Sequence, residues 1–434
     1  MIAETFVVDA RWPKSPAVGV RDVAEIRIAA DGESLTRFLD LEKGGQRDHF
    51  RASAVSLAFW LADNWWRLRY ESLDGSTPSV NWRLRHELSS ASGGTFWPPL
   101  MIHSSGENVQ LTPAFSRHLE SSLLRYLAPD TTSVSGRAFE NGIDHFLDQV
   151  RETCASALDG AAIAQLIATL RDERNDELLA SWRRVEARLG YDPDTVPEPI
   201  MRALGQLERR VGSAGIEEAA SAAPGSRSAV VLENALRAAN ASDIVVDLSA
   251  AHGLMPPSND ASPKAPWEMG RQAAHYLRRQ RDFGLRPIRL NAFSDLLGAT
   301  KETLARPATA RKLPYSARIE HKANRHKVAV SSVVARDRRF ELSCALGDEI
   351  WSKCGFGIIS KAKTDRQKFQ RAFAQNLLAP FDGIRQHLDT DNLDDLAIDG
   401  AAKTFHVHPN VIKRVLILER VLPRQTLEER IEAA

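Results

Sequence analysis

Residues four apart on a helix share one face. At that spacing a His-Glu-x-x-His helix holds a zinc ion while its Glu takes a proton from water. In the run from Arg338 to Asp348 the three corresponding positions read Cys344, Ala345 and Asp348. A thiolate and a carboxylate each suit zinc, and Cys354 or His326 could complete such a site. The alternative is that Cys344 is a small buried residue and Asp348 an acid near basic neighbours. Ala345 carries no proton acceptor, so a metal held here could polarise a carbonyl but proton transfer would have no owner. Cys344 could be a nucleophile only with a base beside it, and nothing in the sequence places His321, His326 or His406 there. No catalytic residue and no metal ligand is assigned.

Two other groups could do chemistry. Lys361, Lys363, Arg366 and Lys368 cluster at the start of a helix for which Thr364 is the natural N-cap. Helix-end amides and cations together suit an anion or a nucleic-acid backbone, and the alternative is ordinary capping with solvated charge. The residues from Lys264 to Pro380 carry 24 Lys and Arg against 10 Asp and Glu, although the whole chain is only +1. Such polarity marks either a nucleic-acid face or a surface that docks within the chain itself. His406 and His408 would share a face on a strand, but in a helical tail they diverge, and Pro409 reads as the start of a new helix. The Ala401–Leu416 segment, with Lys413 and Arg414, has a helix-turn-helix pattern that could read DNA or simply pack. No glycine-rich phosphate loop, Cys-x-x-Cys pair, Gly-x-Ser-x-Gly elbow or dinucleotide fingerprint occurs, so no cofactor is expected.

These residues need elements to position them. Glu25–Ala29 alternates at period two into an Asp31-Gly32 turn, and Pro99–Leu111 turns at Ser104–Glu107, so both read as hairpins. Between them Ala52–Arg69 is helical and carries Trp60, Trp65 and Trp66, spaced as core residues, with a base-stacking platform as the alternative. Trp82–Glu87 alternates charge with bulk and reads as a half-buried strand. Phe139, Ile143, Phe146, Leu147 and Val150 mark one helix. Leu178, Leu179, Trp182, Val185 and Leu189 mark another, ended by Gly190. Asp243–Leu248 is a short strand, and the Pro- and Ser-rich stretch from His252 to Pro266 is the expected main boundary. A helix from Pro266, a hairpin turning at Asn324 and Arg325, and the Arg338 helix come next.

At 434 residues the chain exceeds one ordinary core, and 43% hydrophobic with 26% charged residues is a globular balance. The expected divisions are an aromatic α+β domain at 1–130, a helical segment at 135–225, a strand and linker at 226–264, and a last domain at 265–434 of helices around a small sheet. The class is α+β, mostly helical. Three scattered cysteines suit a reducing cytoplasm, and neither a leader nor a long apolar run is seen, so membrane insertion is not expected.

The order of elements after Pro266, together with Leu377-Leu378-Ala379-Pro380 and the Ala402-x-x-Phe405-x-Val407 tail, resembles the ImmA/IrrE-type zinc metallopeptidases over about residues 265–422. The resemblance implies that the zinc motif falls on Cys344, Ala345 and Asp348. It also implies a third ligand from the next helix, where Arg366–Pro380 offers neither an acid nor a histidine. The role it implies is that of a catalytically silent, bacterial, regulatory or scaffolding module that binds a protein partner, in the setting of stress, mobile-element or phage-related switches. The other reading is a nucleic-acid effector or an enzyme working through the basic C-terminal half or the aromatic N-terminal domain.

Overall fold

The structure, a computed structural model, describes residues 2–13, 22–73, 78–91, 97–113, 123–127, 131–156, 159–254, 265–305, 313–322, 324–388 and 393–423. The fold is α+β and mostly helical, and it divides into two compact units, residues 1–202 with 224–226 and residues 203–223 with 227–434.

In the first unit β1 (Ile2–Ala3), β2 (Phe6–Arg11), β3 (Val23–Ala30), β4 (Glu33–Ser34), β5 (Phe38–Asp40), β6 (Gln46–Arg47) and β7 (Phe50–Ser53) lead into α1 (Ala54–Asp63), α2 (Trp65–Tyr70) and α3 (Val80–His86). Next come β8 (Leu100–Ser105), β9 (Asn108–Pro113), β10 (Leu124–Tyr126) and β11 (Thr132–Ser135), then α4 (Gly136–Thr153), α5 (Gly160–Asn175) and α6 (Glu177–Arg188). Among the described residues these strands form three small sheets, ordered β1-β11-β9-β8, β10-β5-β6 and β2-β3-β4 with β7 also on β3. Both expected hairpins form, β3–β4 through Asp31 and Gly32 (φ 44° and 82°) and β8–β9 through Gly106.

Trp60, Trp65 and Trp66 are buried, with Trp65 and Trp66 edge to face at 4.8 Å and the Trp66 indole donating to Glu173 Oε2 at 2.8 Å. They are core, not a stacking surface. The expected strand at Trp82–Glu87 is instead α3, capped by the Ser79 hydroxyl, which accepts from Trp82 N at 3.2 Å. Trp82 and His86 lie one turn apart and stack at 4.0 Å, while Leu84, which a half-buried strand would bury along with Trp82, is 54% exposed. α6 buries Val185, with Leu189 at its C-cap also buried, as expected, and departs from the expectation at one end. Leu178 is exposed, and the buried face carries Arg183, tied to Glu173, Glu186 and Asp194 at 2.8, 2.8 and 2.7 Å.

α7 (Glu198–Ala222) is broken at Gly212 (φ 76°), and from residue 203 it belongs to the second unit. The elements after it are α8 (Ser228–Asn240), β12 (Val245–Asp247), α9 (Pro266–Gln280), α10 (Leu290–Leu296), α11 (Lys301–Ala305), β13 (Ser316–Lys322) and β14 (Arg325–Ala329). The chain then runs through α12 (Ala335–Trp351), β15 (Phe356–Ile359), α13 (Asp365–Leu378), α14 (Phe381–Arg385), α15 (Asp395–Phe405) and α16 (Pro409–Leu418). Among the described residues this unit holds one antiparallel sheet, β12-β14-β13-β15.

That sheet corrects the expected divisions. β12 precedes the His252–Pro266 stretch yet pairs Val246 with His326 in the C-terminal sheet, so the chain does not divide there. Most of that stretch, 255–264, lies outside the described residues. The expected helical segment at 135–225 is split as well. α4 to α6 belong to the first unit, whereas Glu218 of α7 accepts from Thr364 Oγ1 and Gln367 Nε2, both at 3.1 Å.

The core of the second unit is built from α9, α12 and α13 through Ala273, Leu277, Leu346, Phe369, Phe373 and Leu377. A buried arginine fastens it. Arg278 donates to the carbonyls of Gly284 (2.8 Å), Arg286 (2.6 Å) and Leu377, serving the C-terminal end of α13, whose last carbonyls lack helical partners. Among the described residues no helix is long and apolar enough to cross a membrane.

Candidate functional site

α12 is buried along most of its length, because helices and sheet pack on both sides of it. Its residues from Leu342 to Ile350 are all buried, which explains why its sequence shows little one-sided patterning. Asp348 lies in its last turns, 0% exposed, and is met by side chains from two other elements.

Arg318 on β13 donates through Nε to Asp348 Oδ2 at 2.7 Å. Arg366 on α13 grips both oxygens, Nε to Oδ1 at 2.6 Å and Nη2 to Oδ2 at 2.8 Å. One turn on, Gln370 Nε2 donates to Oδ1 at 2.5 Å. A carboxylate has about four acceptor positions, and here two donors point at each oxygen. Arg318 is held further by the carbonyls of Ser352 and Cys354, each at 3.0 Å, and by Glu349 Oε2 at 2.9 Å. Burial alone would push the Asp348 carboxyl up. The two guanidiniums outweigh that and hold it below the usual carboxylate range, and Asp348 in turn raises Arg366 against the cost of its own burial.

Gly357 on β15 makes room for this cluster. A Cβ there would lie 1.8 Å from Asp348 Oδ2 and 2.8 Å from Arg318 Nε, closer than side-chain atoms can stand.

Cys344 lies one turn earlier on the same helix. It packs with Ala345, Ile359 and Ala374 in a small apolar cluster, and burial raises its thiol well above the ordinary value. Ala345 is fully buried in the same contacts. His326 is also buried, its Nε2 3.6 Å from Glu349 Oε2, and desolvation with Arg318 nearby pushes it down to about 4, while burial raises Glu349. Cys354 is exposed and accepts from the Ser352 hydroxyl at 2.8 Å. Each residue considered for an alternative zinc site thus has other contacts: apolar neighbours for Cys344, guanidiniums for Asp348, the Ser352 hydroxyl for Cys354 and Glu349 for His326. Among the described residues no group of three or more His, Cys, Asp or Glu is placed to hold a metal ion.

The basic cluster divides. Thr364 caps α13 as expected, its hydroxyl accepting from Gln367 N at 3.3 Å. Lys361 and Lys363 are exposed, but Arg366 is buried against Asp348 and Lys368 pairs with Asp365 at 3.2 Å. Arg366 is therefore closed to an outside anion, and the four side chains do not form one surface. At the tail, His406 (φ 54°) ends α15 and His408 caps α16, its Nδ1 accepting from Asn410 N at 3.1 Å. The two imidazoles are turn and cap. Lys413 pairs with Asp395 at 3.0 Å.

Arg318, Gln370 and Gly357 carry the cluster and do not stand out in the sequence. The one local signal is Arg366 and Gln370 at i and i+4, which puts a cation and an amide on one face of α13. Comparison of the chain with protein-family models, with curated proteins and with solved structures finds no match.

Proposed function

We propose that this protein is a non-hydrolytic, peptidase-like binding module that engages a protein partner without cutting it, in a regulatory or scaffolding role. The observation that carries the reading is the occupancy of Asp348. On the ImmA/IrrE-like reading it stands at the second zinc-ligand position, yet both its oxygens are taken by Arg318, Arg366 and Gln370. The preceding positions reinforce it, since Ala345 has no base and the Cys344 thiol is kept protonated in apolar contacts. The cluster thus serves stability in place of water activation, and what remains for function is surface recognition.

The test is zinc analysis of purified protein after equilibration with the ion, beside Cys344→Ala and Asp348→Asn, with candidate partner proteins incubated and read by intact mass. The reading expects no stoichiometric zinc and intact partners. One zinc per chain lost in both variants, with cleavage that a chelator stops, sinks it.

A further inference from the structure

A second feature of the C-terminal unit is independent of the Asp348 cluster. The N-terminal end of α12, α10, α11 and the end of α15 enclose a cleft of about 450 Å³, floored by Leu290, Phe293, Leu304, Leu342, Ala402 and Val407. Among the described residues no acidic side chain lines it, whereas Arg336, Arg339, Lys403 and His406 do. Arg339 is the informative one. It is 7% exposed, its guanidinium lies 4.6 Å over the Phe293 ring, and its only hydrogen bond among the described residues runs from Nη2 to the Ile288 carbonyl. Its Nε is buried with no partner, and among the described residues no carboxylate pairs with it.

Buried charges are normally paired, because an uncompensated one keeps its full desolvation cost. Arg318 and Arg366 follow the rule with a carboxylate, Arg278 with three carbonyls, and Arg371 with the two carbonyls of Ser360 and Ala362. Arg339 has one carbonyl and an aromatic face. Burial accordingly lowers it to about 10, and burial, with the Arg339 charge adding to it, pushes His406 down. The amino end of α12 adds to the field. It is capped by Val334, which offers no side-chain acceptor, and Ala335 and Arg336 of its first turn line the same cleft, while Asp337 of that turn faces Arg336 at 3.9 Å and offsets part of the field.

We propose that this cleft binds a small apolar monocarboxylate, with the carboxylate on Arg339 and the α12 amino end and the hydrocarbon on the Leu290, Phe293, Leu304 and Leu342 floor. The chemistry is complementary at both ends, and the volume falls in the range of small-ligand pockets, roughly 300–1,000 Å³. A charge at this depth suits a ligand small enough to be enclosed.

The experiment is calorimetric titration of the full chain with decanoate, decanol and a short apolar peptide carrying a free or an amidated C-terminus. Wild type should bind decanoate at least tenfold more tightly than decanol, and Arg339→Gln should remove that preference while leaving decanol unchanged. Should Arg339→Gln fail to fold, Ala335→Trp tests the site instead. Ala335 is exposed at the mouth, so a bulky ring there should block decanoate without touching the core. The imidazole signal of His406 gives a second readout, and decanoate should raise its pKa by placing an anion beside it. Equal binding of decanoate and decanol, retention of decanoate by Ala335→Trp, or binding of the free-ended peptide but not decanoate overturns the proposal.

Discussion

Replacing Asp348 by Asn keeps the shape of the side chain and removes the charge that two buried guanidiniums share. Arg318 keeps the Ser352 and Cys354 carbonyls and Glu349, so its loss is cushioned. Arg366 keeps, among the described residues, the Phe356 carbonyl at 3.4 Å and at most the one neutral amide oxygen of the new side chain, and it is 6% exposed. The cost is therefore that of orphaning one buried cation and weakening another, about 3–5 kcal/mol. A repack that removes the charges together, Asp348→Leu with Arg318→Met, Glu349→Gln and Arg366→Met, should recover most of it, since removing a whole buried cluster costs far less than removing one member. The assay is urea unfolding followed in the C-terminal unit, because two compact units need not melt as one. pH gives an independent check. The folded-state pKa of Asp348 is depressed, so its contribution is complete above the ordinary aspartate value of about 4 and is lost as pH falls through the lower folded value. Wild type should show this acid loss and Asp348→Asn should not. A cost under about 1 kcal/mol for Asp348→Asn, the level of an exposed pair, would refute the claim that the cluster is a buried, mutually dependent unit.

Gly357→Ala should be as damaging as Asp348→Asn, since its methyl would meet Asp348 and Arg318, and thermal unfolding should show a large fall in the C-terminal transition. Iodoacetamide on native protein should modify Cys354 and spare the buried Cys154 and Cys344, giving one added group by intact mass. His326 is held near 4 against an ordinary value of 6.5, so stability should fall as pH drops from 6.5 toward 4 while the unfolded chain gains a proton that the folded one refuses. His326→Phe should flatten that slope in unfolding experiments at matched pH.

Much of the architecture is legible in residue patterns that depend only on neighbours in the chain. The Asp31-Gly32 turn, the α4 core stripe, the Thr364 cap and the Pro409 helix start are of this kind, and each stands as expected. The misreadings came where tertiary partners decide. Trp82–Glu87 fits alternation as well as a two-turn helix, and only the packing of Trp82 on His86 selects between them. α6 buries an arginine because Glu173 of α5, Glu186 of its own helix and Asp194 beyond its end converge on it. At the candidate site, Cys344, Ala345 and Asp348 do share one buried helix, but they do not share an environment. That Arg366 points inward depends on Arg318 and Gly357, residues 48 and 9 positions away in sequence, which no local pattern connects to it.

The four-donor grip on Asp348 bears on redesign. Grafting His-Glu-x-x-His onto positions 344 to 348 would not yield a working hydrolase, because two guanidiniums already supply the positive charge a metal would bring, and they would repel its arrival once their counter-ion was gone. Placing a metal at this helix would require neutralising α13 and β13 first, so a route to such a site by single substitutions crosses a state in which a buried charge has lost its partner.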